Sequence, residues 1–225
     1  LLIEFKKQTE APDEIIIASS GLLESQLQKD TFININNRQV PLINENKSHR
    51  EFQAKARNRG GSRSSKDLIM FFDVDDIPHP QKIEITKKIF NENEVDALIH
   101  DYCFTPVFSP INDFSLIFGI EKDPTSTSPY GGITLCVNIK NDNSNYKIHH
   151  AHLTCTYKLF ESIKFREDAS FYRKEDGKFC QDIVDSDFKL CFVDQELVYY
   201  YVKKSNRRMR RRRRQRRRQR QRRQK

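Results

Sequence analysis

Leu68-Ile69-Met70-Phe71-Phe72-Asp73-Val74-Asp75-Asp76 runs five apolar residues straight into three carboxylates. A short continuous apolar run reads as a strand buried on both faces. Its exit then delivers Asp73, Asp75 and Asp76 to the edge of a sheet. Like charges held together are costly unless a cation or strong donors offset the repulsion, and hard oxygen ligands favour Mg²⁺ or Mn²⁺. The plain alternative is a strand that ends in a solvated acidic turn.

Upstream, residues 1–8 have helical spacing that Pro12 closes, and Glu14-Ile15-Ile16-Ile17-Ala18 reads as a buried parallel strand. Residues 31–36 suit a second strand, and 48–65 are helix-compatible until Gly60-Gly61, which is expected to break the helix. Downstream, 81–91 predict a helix and 95–100 a strand. This is the βα alternation of a doubly wound sheet, in which ligands collect beyond the carboxyl ends of the strands. Residues 104–130 mix Pro106, Pro110, Pro124 and Pro129 with aromatics and read as irregular or antiparallel excursions. Strands at 133–137 and 153–157, a helix at 176–190 and a last strand at 196–202 complete the reading. Tyr199, Tyr200 and Tyr201 are expected to pack against the sheet, with no binding role needed to explain them.

The 225 residues are long enough for one large domain with a substantial core. The net charge of +9 resembles that of a nucleic-acid binder until it is divided along the chain. Residues 207–225 hold thirteen Arg and one Lys with no acid, so the remaining 206 residues carry −5. Such a run cannot bury a core and its charges repel, which predicts a disordered tail able to contact polyanions without sequence specificity. The five cysteines (Cys103, Cys136, Cys155, Cys180, Cys191) are widely spaced and lack a C-x-x-C pair, which disfavours zinc or a disulfide framework and suggests buried free thiols. No apolar stretch reaches the ~20 residues of a membrane span and no signal peptide is visible. The expected location is the cytoplasm or a membrane surface, with N-terminal targeting outside what the chain displays.

Several segments match one pattern in order. Gln8-Thr9, Pro12-Asp13-Glu14-Ile15-Ile16-Ile17, Ala56-Arg57-Asn58 with Gly60, Phe71 through Ile77 with Pro80, Lys174-Glu175-Asp176, and Leu197-Val198-Tyr199-Tyr200 resemble the family 2 glycosyltransferases of the GT-A fold. The resemblance covers most of residues 1–204. It implies an α/β, Rossmann-like, mostly parallel central sheet with flanking helices and a smaller mixed or antiparallel part. It also implies a domain over 1–204 whose first strand is missing, an N-terminal truncation, followed by a disordered Arg-rich tail over 205–225. The activity implied is metal-dependent transfer of a sugar from a nucleotide-diphosphate donor to an acceptor hydroxyl on a glycan, protein or lipid, by the inverting route. Asp75 would ligate Mn²⁺ or Mg²⁺, Asp73 would lie near the donor ribose, and Asp76 would support the metal or sugar side. Arg57 and Asn58 would position the nucleotide. Glu175-Asp176 matches the pair whose Asp serves as general base on the acceptor, and Glu167-Asp168 is the competing register.

Other features fit less directly. Where the family carries an acid after its first complete strand motif, this chain has Ala18-Ser19-Ser20-Gly21. His149, His150 and His152 form a cluster, of which His152 is a candidate for a direct role, and His79 reads as loop surface. A strand followed by D-x-D also opens haloacid dehalogenase-like phosphatases, but those usually place Thr where this chain has Ile77. The remaining alternative is a non-catalytic, degenerate transferase or a binding protein whose tail contacts nucleic acid or anionic surfaces.

Overall fold

The computed structural model describes residues 2–22, 30–122, 127–128, 132–133, 137–140, 150–172 and 174–201. The chain opens on α1 (Leu2–Phe5), a single turn rather than a helix over 1–8. The segment after it is used as a clamp. The buried Gln8 side chain donates to His79 O (2.7 Å) and accepts from the Ile83 N–H (3.2 Å), and the Thr9 N–H donates to Pro80 O (2.8 Å). The polar pair Gln8-Thr9 thus fixes the chain just beyond the carboxylates.

A three-stranded sheet follows, built from β1 (Ile15–Ser20), β2 (Phe32–Ile35) and β3 (Arg38–Lys47) in the order β1-β3-β2. Asn36 and Asn37 both take positive φ (48° and 61°), the two-residue turn whose twist matches a hairpin. The sequence reading has no strand over β3, whose Pro41 and polar second half are poor strand residues. The structure accommodates both by giving β3 one neighbour at a time. Its first four residues pair antiparallel with β2 and the rest pair parallel with β1, and Pro41 sits where the partner changes.

α2 (Gln53–Ser62) runs through Gly60-Gly61, which overturns the expected break. The glycines are there for approach. A Cβ on Gly61 would lie 2.4 Å from Phe160 Cζ, and one on Gly60 would lie 3.0 Å from Ala18 Cβ. The helix therefore seats its C-terminal turn directly on β1 and the core.

The larger sheet uses β4 (Leu68–Met70), β5 (Ile77–Pro78), β6 (Ala97–Cys103), β7 (Leu116–Ile117), β12 (Thr154–Thr156) and β13 (Leu190–Tyr199). Smaller pairs β8 (Ile120–Lys122) with β11 (Val137–Ile139), and β9 (Thr127–Ser128) with β10 (Gly132–Ile133), branch from the middle of the chain. The order is β4-β12-β6-β13-β5, with β7 also on β13. β12 is antiparallel to both β4 and β6, so those two run parallel, and β13 is parallel to β6. The ends of β4, β6 and β13 therefore share one rim. The apolar run Leu190-Cys191-Phe192-Val193 opens β13, whereas the sequence reading left Leu190 in a helix. α5 (Glu175–Val184) stops earlier, before Asp185-Ser186-Asp187.

Alternation along the strands feeds two cores. Ala97, Ile99 and Phe192 face Leu159, Phe160, Phe179 and Ile183 from α4 (Tyr157–Ser162) and α5. Leu98, Cys191 and Val193 face Ile85 and Ile89 of α3 (Lys82–Glu92). Fully burying each Leu, Ile, Val or Phe among them is worth roughly 1.5–3 kcal/mol. Helix α4 was unforeseen, and its start is set by Thr156, whose hydroxyl accepts from the Leu159 N–H at 3.2 Å. Cys103, Cys155, Cys180 and Cys191 are buried, and burial pushes the Cys191 thiol up to about 12. These are packing residues. No described helix is long and apolar enough to cross a membrane. The expected boundary at 204, the Arg-rich tail, Cys136 and His149 lie outside the described residues.

Candidate active site

Past Met70 the chain leaves the ladder but stays tethered: the Phe71 N–H donates to Leu153 O (3.0 Å) and the Asp76 N–H to Asp73 O (3.3 Å). This turn holds Asp73 half-buried, Asp75 exposed and Asp76 buried. Three carboxylates adjacent in sequence thus enter three different environments.

Asp73 faces α2 and α5. Arg57 donates through Nη2 to Asp73 Oδ1 (2.9 Å) and through Nη1 to Glu175 Oε1 (2.8 Å), with its guanidinium 5.5 Å from the centre of the Phe165 ring. The Arg57 and Glu175 side chains are only 12% and 7% exposed. Burial works against the Arg57 charge, yet the fields of Asp73, Asp176 and Glu175 together hold its pKa above the ordinary value. Burial also raises the Asp73 carboxyl, against the pull of Arg57 and with a push from Asp176 and Asp75. Asp73 therefore feels acids from both segments that the sequence had set a hundred residues apart. Asp176 is half-exposed at the start of α5 beside the locked Glu175, where the helix dipole favours a carboxylate.

Asp76 faces the interior. Its Oδ1 accepts from the Tyr201 N–H (2.8 Å), and its Oδ2 lies 3.1 Å from His152 Nε2. That same nitrogen accepts from the Asp73 N–H (3.2 Å). A ring nitrogen acting as acceptor brings a lone pair, not a proton, to the carboxylate. Asp73, Asp76 and His152 each place one ligand atom within 4.8 Å of the others. Such a convergence of oxygen and imidazole donors suits a divalent cation. His152 is stacked on Phe72 (4.2 Å between centres), and Lys82 lies behind Phe72, fully buried and in contact with His100 Nε2. Burial drags Lys82 down to about 7 despite the field of Asp76. Neither Lys82 nor His100 was singled out from the sequence. A lysine inside an apolar helix stripe at 82–89 was the available signal.

The remaining candidates separate. Asn58 engages its carboxamide with the segment after α4: it donates to Phe165 O (2.9 Å) and Glu167 Oε1 (2.8 Å) and accepts from the Phe165 N–H (2.9 Å). Asp168 is exposed at the start of the 3₁₀ turn Ala169–Phe171. His79 is buried rather than on the surface, accepts from the Gln81 N–H at Nδ1 (3.0 Å), and has its pKa lowered by burial. Tyr199 ends β13, but Tyr200 and Tyr201 are 38% and 48% exposed, which corrects the expectation that all three pack on the sheet. Burial raises the Tyr200 hydroxyl, with Asp76, Asp73 and Asp75 adding to the effect, so this ring borders the acids.

Residues 3–105 match the sequence model of glycosyl transferase family 2. No curated protein sequence matches the chain. Solved structures do. Staphylococcus aureus TarS 1–349 in complex with UDP superposes with a TM-score of 0.55 at 15% identity, over 89% of this chain and 55% of that one. A second structure of TarS 1–349 gives 0.56 at 15% identity over the same shares, and a further TarS structure gives 0.56 at 17% identity over 89% and 33%. The chain thus spans about half the length of the TarS 1–349 structures. The matched segment holds Gln8-Thr9, Arg57 and all three carboxylates: residues 3–105 are similar to glycosyl transferase family 2, and the mixed α/β fold around them is similar to that of TarS.

Proposed function

We propose that the chain transfers a sugar from a nucleotide-diphosphate donor to an acceptor hydroxyl by an inverting, metal-dependent reaction, within a domain spanning 1–204. The observation that carries this reading is Arg57, which binds Asp73 and Glu175 at once and so draws the sheet-edge acids and the start of α5 into one charged cluster. Asp176, next to the anchored Glu175, is the general base. It takes the acceptor hydroxyl proton as that oxygen bonds to the anomeric carbon, while the bond from this carbon to the diphosphate breaks and its electron pair leaves with the nucleotide. Glu175 holds Arg57 and sets the orientation of the helix start. Asp73 lies toward the donor ribose and Asp76 fixes the far end of the turn.

Mn²⁺ or Mg²⁺ fits the donor set of Asp73, Asp76 and His152, with the exposed Asp75 as the further ligand that the family pattern implies. Bound there, the ion would offset the charge of the diphosphate group. Arg57, already shared between two carboxylates, supports the nucleotide through Asp73, and Asn58 supports the loop at 165–167. The likeness to a UDP-bound TarS makes uridine diphosphate the first nucleotide to test. By composition alone, the tail adds nonspecific attraction to polyanions.

Calorimetric titration of UDP with and without Mn²⁺ tests the donor half. Mn²⁺ is expected to tighten binding, and Asp75→Ala to remove that effect; metal-independent binding untouched by the substitution overturns the assignment. For the base, Asp176→Asn is expected to retain UDP binding while losing transfer. Transfer at the normal rate moves the base elsewhere, with Asp168 next.

A further inference from the structure

Behind the acidic turn lies a polar pair that takes no part in the chemistry above. Lys82 opens α3 and His100 lies in β6, each only 1% exposed. The place is a poor one for a cation, because burial disfavours the charge and the first turn of a helix carries the positive end of its dipole. A methionine would fill the same space without that cost. The lysine therefore calls for a reason beyond packing. Its head group donates to His100 Nε2 and lies 5.8 Å from the centre of the Phe72 ring. Nε2 is the acceptor because His100 Nδ1 lies 2.7 Å from Asp101 O, which can only accept, so Nδ1 carries the proton. Both rings border His152. Phe72 stacks on it with 4.2 Å between centres and 29° between planes, and His100 lies 6.2 Å away. Phe5 closes on Phe72 edge-on at 5.4 Å. His152, 0% exposed, thereby presents Nε2 to the Asp73 N–H and to Asp76 Oδ2.

We propose that Lys82 and His100 are positioning residues for the divalent cation, holding the Phe72 and His152 rings so that His152 Nε2 joins Asp73 and Asp76 as a ligand. The inference rests on the metal-dependent reading above and adds to it the parts that fix the imidazole. Groups that orient a ligating histidine matter to affinity nearly as much as the ligand itself. Lys82 suits that task, because an amine keeps N–H donors for His100 whether or not it is charged. Its own place is set from the exit of the acidic turn, since the Lys82 N–H donates to His79 O at 3.0 Å.

Mn²⁺ titration of the full chain, followed by electron paramagnetic resonance, tests this at about pH 8.5, where Lys82 with its pKa of about 7 is uncharged and does not repel the ion. Lys82→Met and His100→Leu are each expected to weaken Mn²⁺ binding about ten-fold or more, as loss of groups that orient a ligand does. His100→Gln is expected to keep most of the affinity, because its carboxamide can accept from Lys82 and donate to Asp101 O. The electron spin echo modulation from an imidazole nitrogen, present in the wild type, should fade in Lys82→Met and His100→Leu, a signature that lost stability alone does not produce. Circular dichroism checks that each variant is folded. Folded variants with unchanged affinity and modulation, or a Lys82→Met that binds Mn²⁺ more tightly, overturn the positioning role. If Lys82→Met does not fold, equal affinities of His100→Leu and His100→Gln overturn it. Mn²⁺ bound to the wild type without imidazole modulation overturns this inference alone, whereas a wild type that binds no Mn²⁺ overturns the metal-dependent reading and this inference with it.

Discussion

Two cations flank the acidic turn, and they respond to burial in opposite ways. Arg57 lies among Asp73, Glu175 and Asp176 and keeps its charge more firmly than in water. Lys82, on the other side of the Phe72 and His152 stack, is in contact with a histidine and an aromatic face and feels the field of Asp76. Its pKa falls to about 7. The difference teaches that burial alone does not decide whether a charge survives; the number of carboxylates within reach does. One wall of the site is held by ion pairs, and the other is packed around a lysine near its titration point.

The strongest way to break this contrast is Arg57→Met. It leaves the buried Glu175 and the half-buried Asp73 without their shared partner, and removing one member of a buried pair costs about 3–5 kcal/mol. Chemical denaturation should show a loss of this order at pH 7; a loss under about 1 kcal/mol would mean that water replaces the guanidinium easily. Gly61→Ala comes next. Its methyl would enter the Phe160 ring, so overpacking of about 1–3 kcal/mol is expected by thermal melting, and α2 should carry Arg57 out of register. Gly60→Ala, with a 3.0 Å contact to Ala18 Cβ, should be the milder change.

Lys82→Met probes the opposite wall. Because the folded pKa lies below the ordinary 10.5, the folded state binds fewer protons than the unfolded chain between these values. The penalty is then complete below about pH 7 and is relieved as pH rises. Wild-type stability should climb from pH 7 toward 9 with a slope of up to about 1.4 kcal/mol per pH unit from this group, and Lys82→Met should flatten that slope. Above this window Cys191, raised from 9.0 to about 12, acts the other way: its contribution is lost as pH rises. An unchanged slope in Lys82→Met would refute the contrast. Thr156→Ala, remote from both cations, removes the cap of α4 and should cost only about 1 kcal/mol by denaturation, with the pH slope intact.

Much of the frame was legible because its signals are local. Continuous apolar runs marked β1, β4 and β6, and the periodic isoleucines marked α3. Errors arose where a residue's meaning depends on a distant neighbour. Gly60-Gly61 reads as a breaker until Phe160 and Ala18 occupy the space that a side chain would need. β3 carries no clear strand signal of its own, and it is held by two partners that exchange at Pro41. The bonds of the Asn58 carboxamide to residues 165–167, more than a hundred positions away, likewise have no local signal.

By itself the sequence determined that three carboxylates follow a run of five apolar residues, that a second acidic pair follows far downstream, and that the positive charge of the chain resides in its tail. These are consequences of composition and spacing, which no fold can alter. Only the tertiary structure decided that Arg57 joins Asp73 to Glu175, that Asp76 meets His152 above a buried Lys82, and that this lysine meets His100. The reason is physical. Charge compensation and ring packing depend on distances of a few ångströms between segments whose separation along the chain carries no record of their contact.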